Sequence, residues 1–595
     1  MFDVQRSRLK YKDCLMPPKG YELAFAVGTT YSLDLEALTT LCAIVGLDVE
    51  ANTELTQSPI HMLQAIRKTN RRILLFCQGG QIKRPSNPSP LLSLLEDSVV
   101  EINLKEGKSF HPKVWFLKYE SKERPAKYRL IVLSKNLTFD RSWDIAMLLE
   151  SADDNDIVIE SGPTTGQTMR SFLMWLSQRR SAYGNSELQN KKRYLRRLAD
   201  EIENISWRKP SHPLGRAFER FDFNAYGIGM ATHKILEDTF HKLFIVTPFL
   251  SKSIIHAFAQ RRLSNPDCTL ITRKSELSKL DSTLMEAFET YTMKDEVVDG
   301  EEGIIEEGYT KTQDIHAKIY LKTKGSRSML ALGSANATHS AFHGGNVECM
   351  VSFYGRQRYL NVEKLKEDFF GSDEKTNPFE KVIPGDYEVS DVEDLLGDLE
   401  SAIRLLSSCR NEAIIEEESE GLYRIVMTSK ALMTNVALTL SPLLCSQAKA
   451  FAPQIVFSDI PLRRLSEWYE VKASLGERTL RRVIKIPTKQ MPEKRDEAIF
   501  GEIVNNREVF LKYIALILSD DPVTAFLENG RDSMVSTTYV NKLFDTPILY
   551  ERMLNIAANE PERLKEIGDV MALASEGIVP SEFRALFHQF EKVLK

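Results

Sequence analysis

Apolar and polar positions alternate between two periods along the first 375 residues. Short apolar runs predict strands at AFAVGTTYS (24–32), RRILLFCQ (71–78), VVEINL (99–104), YRLIVLS (128–134) and DIAMLLE (144–150). Between them, LDLEALTTLCAIVGL (33–47) and TTGQTMRSFLMWLSQRR (164–180) carry apolar residues at helical spacing. A second stretch, about 216–370, repeats the order. Helical character over 233–241 precedes a strand at 242–250, a helix at 253–263, a strand at 268–273 and a helix at 279–288. Strands at 329–334 and 347–354 complete it. Alternating strands and helices predict an α/β fold with a parallel or mixed sheet in each stretch.

Each stretch contains a further apolar strand with a shared polar signature. FHPKVWFL (110–117) precedes VLSKNLT (132–138), and IHAKIYL (315–321) precedes ALGSANAT (331–338). Residues two apart on a strand face the same way, so His111 and Lys113 are expected on one face, as are His316 and Lys318. Asn136 and Asn336 fall where a strand gives way to a polar turn, a frequent place for functional side chains. Two such sets predict an internal duplication and one composite site of two imidazoles, two ammonium groups and two amides. That chemistry suits a phosphodiester.

Past residue 375 the pattern changes. LYRIVMTS, NVALTLSPL, PQIVFSD and RRVIKIP (within 422–487) predict a small β-rich module, and about 495–595 reads as mostly helical. The acidic runs EEGIIEE (301–307) and EEESE (416–420) are expected in exposed loops.

Composition narrows the class. The 595 residues, 43% hydrophobic and 27% charged, are those of a globular protein of several domains. A net charge of −5 argues against a general nucleic-acid-coating protein but permits a local basic groove. One such segment is the helix-prone connector with Arg179, Arg180, Lys191, Lys192, Arg193, Arg196 and Arg197, expected either to line a nucleic-acid groove or to form a solvated helix face. Seven scattered cysteines without a CxxC pair suit a reducing, cytoplasmic setting. The charged N-terminus has no apolar signal-peptide core, and no run of about 18 apolar residues predicts a membrane span. There is no HExxH, no dense carboxylate triad and no GxxxxGK[ST] loop, so neither a metal nor another cofactor is expected, and ATP-driven work would fall to a separate partner.

The paired His-x-Lys…Ser-x-Asn sets resemble the phospholipase D superfamily, and its nuclease and tyrosyl-DNA phosphodiesterase branches above all. The resemblance covers roughly the first 355 residues. It implies an α/β fold of duplicated phospholipase D-like sandwich halves, at 1–180 and 216–375, joined by a basic connector at 181–215. The β-rich module (376–495) and the helical C-terminal region (496–595) lie outside it. Many lipases of the family carry an Asp seven residues after the His; here those positions hold Lys118 and Thr323, which favours nucleic acid over phospholipid.

In the family scheme one imidazole attacks phosphorus and the other protonates the leaving oxygen. The resemblance implies His111 as nucleophile and His316 as general acid. Lys113, Lys318, Asn136 and Asn336 would hold the non-bridging oxygens. Ser134 and Ser334 are implied as orienting partners. Glu348, twelve residues after Asn336, would orient the opposite imidazole. In the first half Ala146 aligns with Glu348, with Asp144 nearby. The resulting expectation is a metal-independent nuclease acting on DNA or RNA, of the kind found in antiphage or restriction systems beside a helicase or ATPase. The alternatives are a lipid phosphodiesterase or transphosphatidylase, and a non-catalytic nucleic-acid-binding scaffold.

Overall fold

The structure is a computed structural model that describes residues 9, 11–47, 58–105, 107–139, 142–179, 186–211, 213–229, 234–294, 314–371, 377–382, 392–431, 435–518, 546–575 and 577–594. Arg180, His233 and the acidic run 301–307 lie outside the described residues.

The first α/β unit supplies β1 (Glu22–Thr30), β2 (Ile73–Gln78), β3 (Val99–Ile102), β4 (Ser109–Phe110), β5 (Val114–Glu120), β6 (Lys127–Leu133), β7 (Ser142–Trp143) and β8 (Ala146–Glu150). Six of these form one sheet in the order β8-β6-β5-β1-β2-β3. β1, β2 and β3 are parallel; β5, β6 and β8 join antiparallel. The run Ile73–Gln78 is buried throughout, as expected of a strand covered on both faces.

The second unit supplies β9 (Phe218–Tyr226), β10 (Phe240–Val246), β11 (Arg262–Ile271), β12 (Glu289–Met293), β13 (Asp314–Ile315), β14 (Ile319–Lys324), β15 (Arg327–Gly333) and β16 (Asn346–Arg356). Its sheet contains the order β16-β15-β14-β10-β11-β12, with the same directions as in the first unit. β9 pairs antiparallel with β16. This strand is absent from the sequence expectation because Glu219, Arg220 and Asp222 interrupt its apolar run. The helix expected over 233–241 is confined to Lys234–Glu237, and that expected over 253–263 ends at Ala259, with Arg262 already in β11.

The strand expected over 110–117 is two strands. Ser109–Phe110 pairs with Asn346–Val347 of the second sheet, whereas Val114–Glu120 pairs with β1 and β6 of the first. His111, Pro112 and Lys113 occupy the passage between sheets, where Pro112 has no N–H for a ladder. The second unit reciprocates. Asp314–Ile315 pairs with Ser142–Trp143 of the first unit, and Ile319–Lys324 belongs to the second sheet. His and Lys therefore do not share the face of one continuous strand. Each His-x-Lys sits at a crossover that stitches the two units together.

A central core lies between the sheets, with Phe116 and Leu130 from one and Phe244 and Leu330 from the other. The helices include α1 (Leu35–Leu47), α2 (Pro59–Thr69), α3 (Thr165–Ser177), α4 (Ser186–Ile202), α5 (Lys252–Ala259), α6 (Val392–Ser408) and, toward the C-terminus, Arg495–Ile503, Arg507–Leu518, Thr546–Asn559, Pro561–Leu573 and Ser581–Leu594. The outer face of the first sheet packs with α1, α2 and these last helices in one cluster that includes Leu38, Leu63, Ile131, Phe510 and Leu564.

The C-terminal region is hydrogen-bonded into the first unit. The strand Arg478–Lys485 pairs antiparallel with Ile82–Lys83. The buried Trp468 donates its indole N–H to Leu92 O at 2.9 Å. Glu96 accepts from Ser466 Oγ (2.8 Å), Glu467 N (2.8 Å) and Arg495 Nη1 (2.7 Å). The run 416–420, expected as a loop, finishes the strand Asn411–Ser419, with residues 417–420 exposed. Among the described residues no helix is long and apolar enough to cross a membrane.

Candidate active site

The crossovers bring chemistry from both units to one place. His111 donates its backbone N–H to Val347 O (2.9 Å), and its Nδ1 lies 3.0 Å from Glu348 Oε2. His316 donates its backbone N–H to Trp143 O at 3.0 Å, one residue before Asp144. Each lysine curls back on its own histidine: Lys113 Nζ donates to His111 O (3.1 Å) and Lys318 Nζ to His316 O (2.6 Å). Both lysines are buried.

The carboxylates follow the same pattern. Ser334 Oγ donates to Glu348 Oε2, and Ser134 Oγ donates to Asp144 Oδ1 at 2.9 Å. Cys349 N–H donates to Ser334 Oγ (3.0 Å) as Ile145 N–H does to Ser134 Oγ (2.8 Å). Asp144, not Ala146, is therefore the counterpart of Glu348, and the spacing after Asn differs because the second unit inserts a longer turn. Asn346 Nδ2 holds Glu348 Oε1 at 3.1 Å, and Ser142 Oγ holds Asp144 Oδ2. Sequence reading missed Asn346 and Ser142. Both lie two residues before their carboxylate; Asn346 shares the Glu348 face of β16, whereas Asp144 lies just past the end of β7.

Burial governs the electrostatics. It pushes the His111 imidazolium below its usual range, with Lys113 and Lys318 adding to the fall and Glu348 opposing it. Burial raises the Glu348 carboxyl, but His111, Lys113 and Ser334 outweigh it and hold the group below its ordinary value. At neutral pH the pair is thus a carboxylate accepting from Nδ1–H of a neutral imidazole, which leaves Nε2 with its lone pair. Burial, and then the charge of Lys318, drives Lys113 well below the ordinary lysine value. Asp144 is raised by burial against the opposing pull of Ser142, Lys135, Lys318 and Ser134.

The two asparagines sit in matching turns. Thr30 Oγ1 accepts from Leu137 N (3.0 Å) and donates to Ser32 O (2.7 Å); Thr247 Oγ1 accepts from Ala337 N (2.9 Å) and donates to Phe249 O (2.7 Å). Asn136 Oδ1 is 3.4 Å from Ser32 N. Asn336 Oδ1 is buried with no hydrogen-bond partner among the described residues. Gly333, at φ +151°, approaches Cys349 O so closely that a Cβ there would lie 2.3 Å from it, so the second turn requires glycine. Tyr31 packs edge-on to His111, ring centroids 5.2 Å apart. Among the described residues no group of three His, Cys, Asp or Glu side chains is arranged to hold a metal ion.

The basic connector is divided. Lys191 is fully buried and donates to Asn70 Oδ1 (3.2 Å), Asp97 O (3.0 Å) and Ser98 Oγ (2.8 Å). Lys192 is buried too and donates to Arg179 O at 2.5 Å. Neither lies on the exposed face expected of the connector. Arg193, Arg196 and Arg197 are exposed on α4. Lys191 anchors α4 where β2 and β3 begin, whereas His111 lies beside the end of β2, since Phe110 N donates to Gln78 Oε1 (2.7 Å). The length of β2, roughly 17 Å at about 3.3 Å per residue, separates that anchor from the site.

No family model matches the chain, and no curated protein matches it. Among solved structures, yeast tyrosyl-DNA phosphodiesterase is similar at 14% identity, with 59% of this chain and 86% of that one covered and a TM-score of 0.33. The polyphosphate kinase of Porphyromonas gingivalis is similar at 10% identity over 57% of this chain, with a TM-score of 0.31; the match spans 41% of that kinase. Likeness at this level names neither a family nor a substrate.

Proposed function

We propose that this protein is a phosphodiesterase of phospholipase D type, built from duplicated halves and acting on nucleic acid through a covalent phosphohistidine. The observation that carries the reading is the hydrogen bond from His111 of the first unit to Glu348 of the second, which holds a neutral imidazole ready for attack. Nε2 of His111 attacks phosphorus, the P–O bond to the leaving group breaks, and protonated His316 gives its proton to that oxygen. Water then attacks the phosphohistidine, His316 takes its proton, and the N–P bond breaks to free His111. Lys113, Lys318, Asn136 and Asn336 stabilise the non-bridging oxygens in both steps. Ser134, Ser142 and Asp144 support the second set as Ser334, Asn346 and Glu348 support the first. Two ammonium groups and two amides furnish the positive field, so the reaction proceeds without a metal.

The missing lipase Asp at Lys118 and Thr323 favours nucleic acid over lipid. Arg193, Arg196 and Arg197 provide distal contact with a polyanion rather than lining the site. An antiphage setting with a separate helicase or ATPase fits a nuclease whose C-terminal region is large. The test is hydrolysis of labelled single- and double-stranded DNA and RNA in EDTA by wild type, His111→Ala and His316→Ala. Cleavage that persists in EDTA and vanishes in both variants is expected. Cleavage retained by either variant overturns the two-histidine scheme, and cleavage abolished by EDTA overturns metal independence.

A further inference from the structure

The two Asn turns share one hydrogen-bond pattern but carry different side chains beside it, Tyr31 and Ser32 in the first unit against Pro248 and Phe249 in the second. In the first unit the residue that receives the threonine hydroxyl is Ser32; in the second it is Phe249. The turn does not need an aromatic group, because serine makes it equally well. Yet the Phe249 ring is 38% exposed, an apolar surface left in water beside the site. The Arg273 guanidinium covers it at 4.3 Å from the ring centroid.

This pair is tied to the Asn336 turn. Thr247 Oγ1 joins Phe249 O to Ala337 N, the residue after Asn336. Leu250 bridges to Ala337, and Ser251 N donates to Ala337 O at 2.9 Å. The platform is also rigid. Leu250 N donates to Glu276 Oε2 (2.7 Å), and the other carboxylate oxygen holds Lys279 Nζ (2.6 Å), which clamps the Phe249 segment to the turn that follows Arg273.

We propose that Phe249 and Arg273 form a shelf that stacks the base of the nucleotide next to the scissile diester, with the guanidinium facing that nucleotide's phosphate, so that the polynucleotide is single-stranded there. A base inside a duplex has both faces covered by its neighbours and cannot stack on a side chain without leaving the helix. An unpaired base has a free π-face, and aromatic stacking is tolerant of sequence. The matching place in the first unit holds Ser32, and the ring beside it, Tyr31, packs edge-on to His111 at 5.2 Å between centroids. The shelf therefore lies on the Phe249 side of the site.

This inference rests on the proposed activity toward nucleic acid, and its test separates the two. Binding of a short fluorescein-labelled single strand and of the matching blunt duplex is followed by anisotropy in a His316→Ala background. Phe249→Ser, which copies the first unit's residue, is expected to weaken single-strand binding about tenfold. Phe249→Trp restores it, and duplex binding changes less than about twofold. Equal single-strand affinity with and without the ring, or an equal loss for both polymers, overturns the shelf.

Arg273→Gln is the second variant, kept in case Phe249→Ser does not fold. It is expected to lower the slope of log K against log salt by about 0.7 for the single strand. An unchanged slope overturns the phosphate contact. Hydrolysis of methyl 4-nitrophenyl phosphate by wild type and His111→Ala tests the activity by itself. If that fails while the binding results hold, the activity falls and the shelf stands. The reverse pattern removes the shelf alone.

Discussion

Asp144 and Glu348 hold the same station in the two units. Each accepts from the serine of its own Ser-x-Asn turn, and each is followed by a residue whose N–H donates back to that serine. The difference lies in reach and charge. Glu348 extends to His111 across the interface and is held ionised by it, whereas burial raises Asp144. The two carboxylates of the site are therefore unlike.

Replacing Glu348 with Gln removes the acceptor that fixes the His111 tautomer, and turnover should fall roughly 10²- to 10⁴-fold. The pH dependence carries a sign. Burial and the two lysines lower the His111 pKa while Glu348 raises it, so the acid limb of kcat/KM in wild type lies below the ordinary histidine value. Without the carboxylate that limb moves to still lower pH. A limb that moves upward in the Glu348→Gln profile contradicts the assignment.

Asn346→Ala leaves Glu348 in place but frees one oxygen. Loss of a hydrogen bond to a charged group costs about 1.5–3 kcal/mol, so kcat should fall about tenfold or more with KM little changed. Steady-state kinetics on one substrate with Asn346→Ala and Asn346→Gln decide it. If KM alone responds, Asn346 binds substrate and does not position the carboxylate.

Lys191→Met should alter stability and leave the salt dependence of nucleic-acid binding as in wild type. The Lys191 pKa is pushed down to about 8 by burial, whereas the unfolded chain keeps the ordinary value. Between about 8 and the ordinary lysine value the unfolded state therefore binds more protons, and wild-type stability rises with pH relative to the variant. Urea melts across that window test the sign. A flat difference shows that Lys191 titrates alike in both states.

Breaking the Glu96–Arg495 pair by Arg495→Met leaves a buried carboxylate uncompensated, at a cost of about 3–5 kcal/mol. Because this pair joins the helix Arg495–Ile503 to the helical turns Pro90–Ser98 of the first unit, the loss should appear as one earlier cooperative transition. Two separated transitions in calorimetry would mean that the regions fold independently.

Much of this site could be read in the chain, and the failures have physical causes. The apolar runs at 24–32, 71–78 and 128–134 correspond to β1, β2 and β6 because largely buried strands carry a strong local signal. The crossover at His111 was invisible: an apolar run shows that a segment is buried, not which sheet it pairs with. Phe218–Tyr226 was hidden by charges that neighbouring residues absorb, as when Tyr354 donates to Asp222 at 3.0 Å. Burial of Lys191 was legible in retrospect. It shares a helical stripe with Leu188, Leu195, Leu198 and Ile202, and that stripe outweighed its charge. Asn346 needed the structure, since nothing local marks an amide two residues from a carboxylate.

The central claim is that His111, held by Glu348, is the nucleophile. Mass spectrometry of rapidly quenched reactions with wild type and His111→Ala, each given a labelled oligonucleotide, tests it most directly. The account predicts an acid-labile phosphoryl adduct on His111 in the wild-type protein and none in the His111→Ala protein. An adduct on His316, or hydrolysis by wild type with neither histidine modified in any variant, would contradict it.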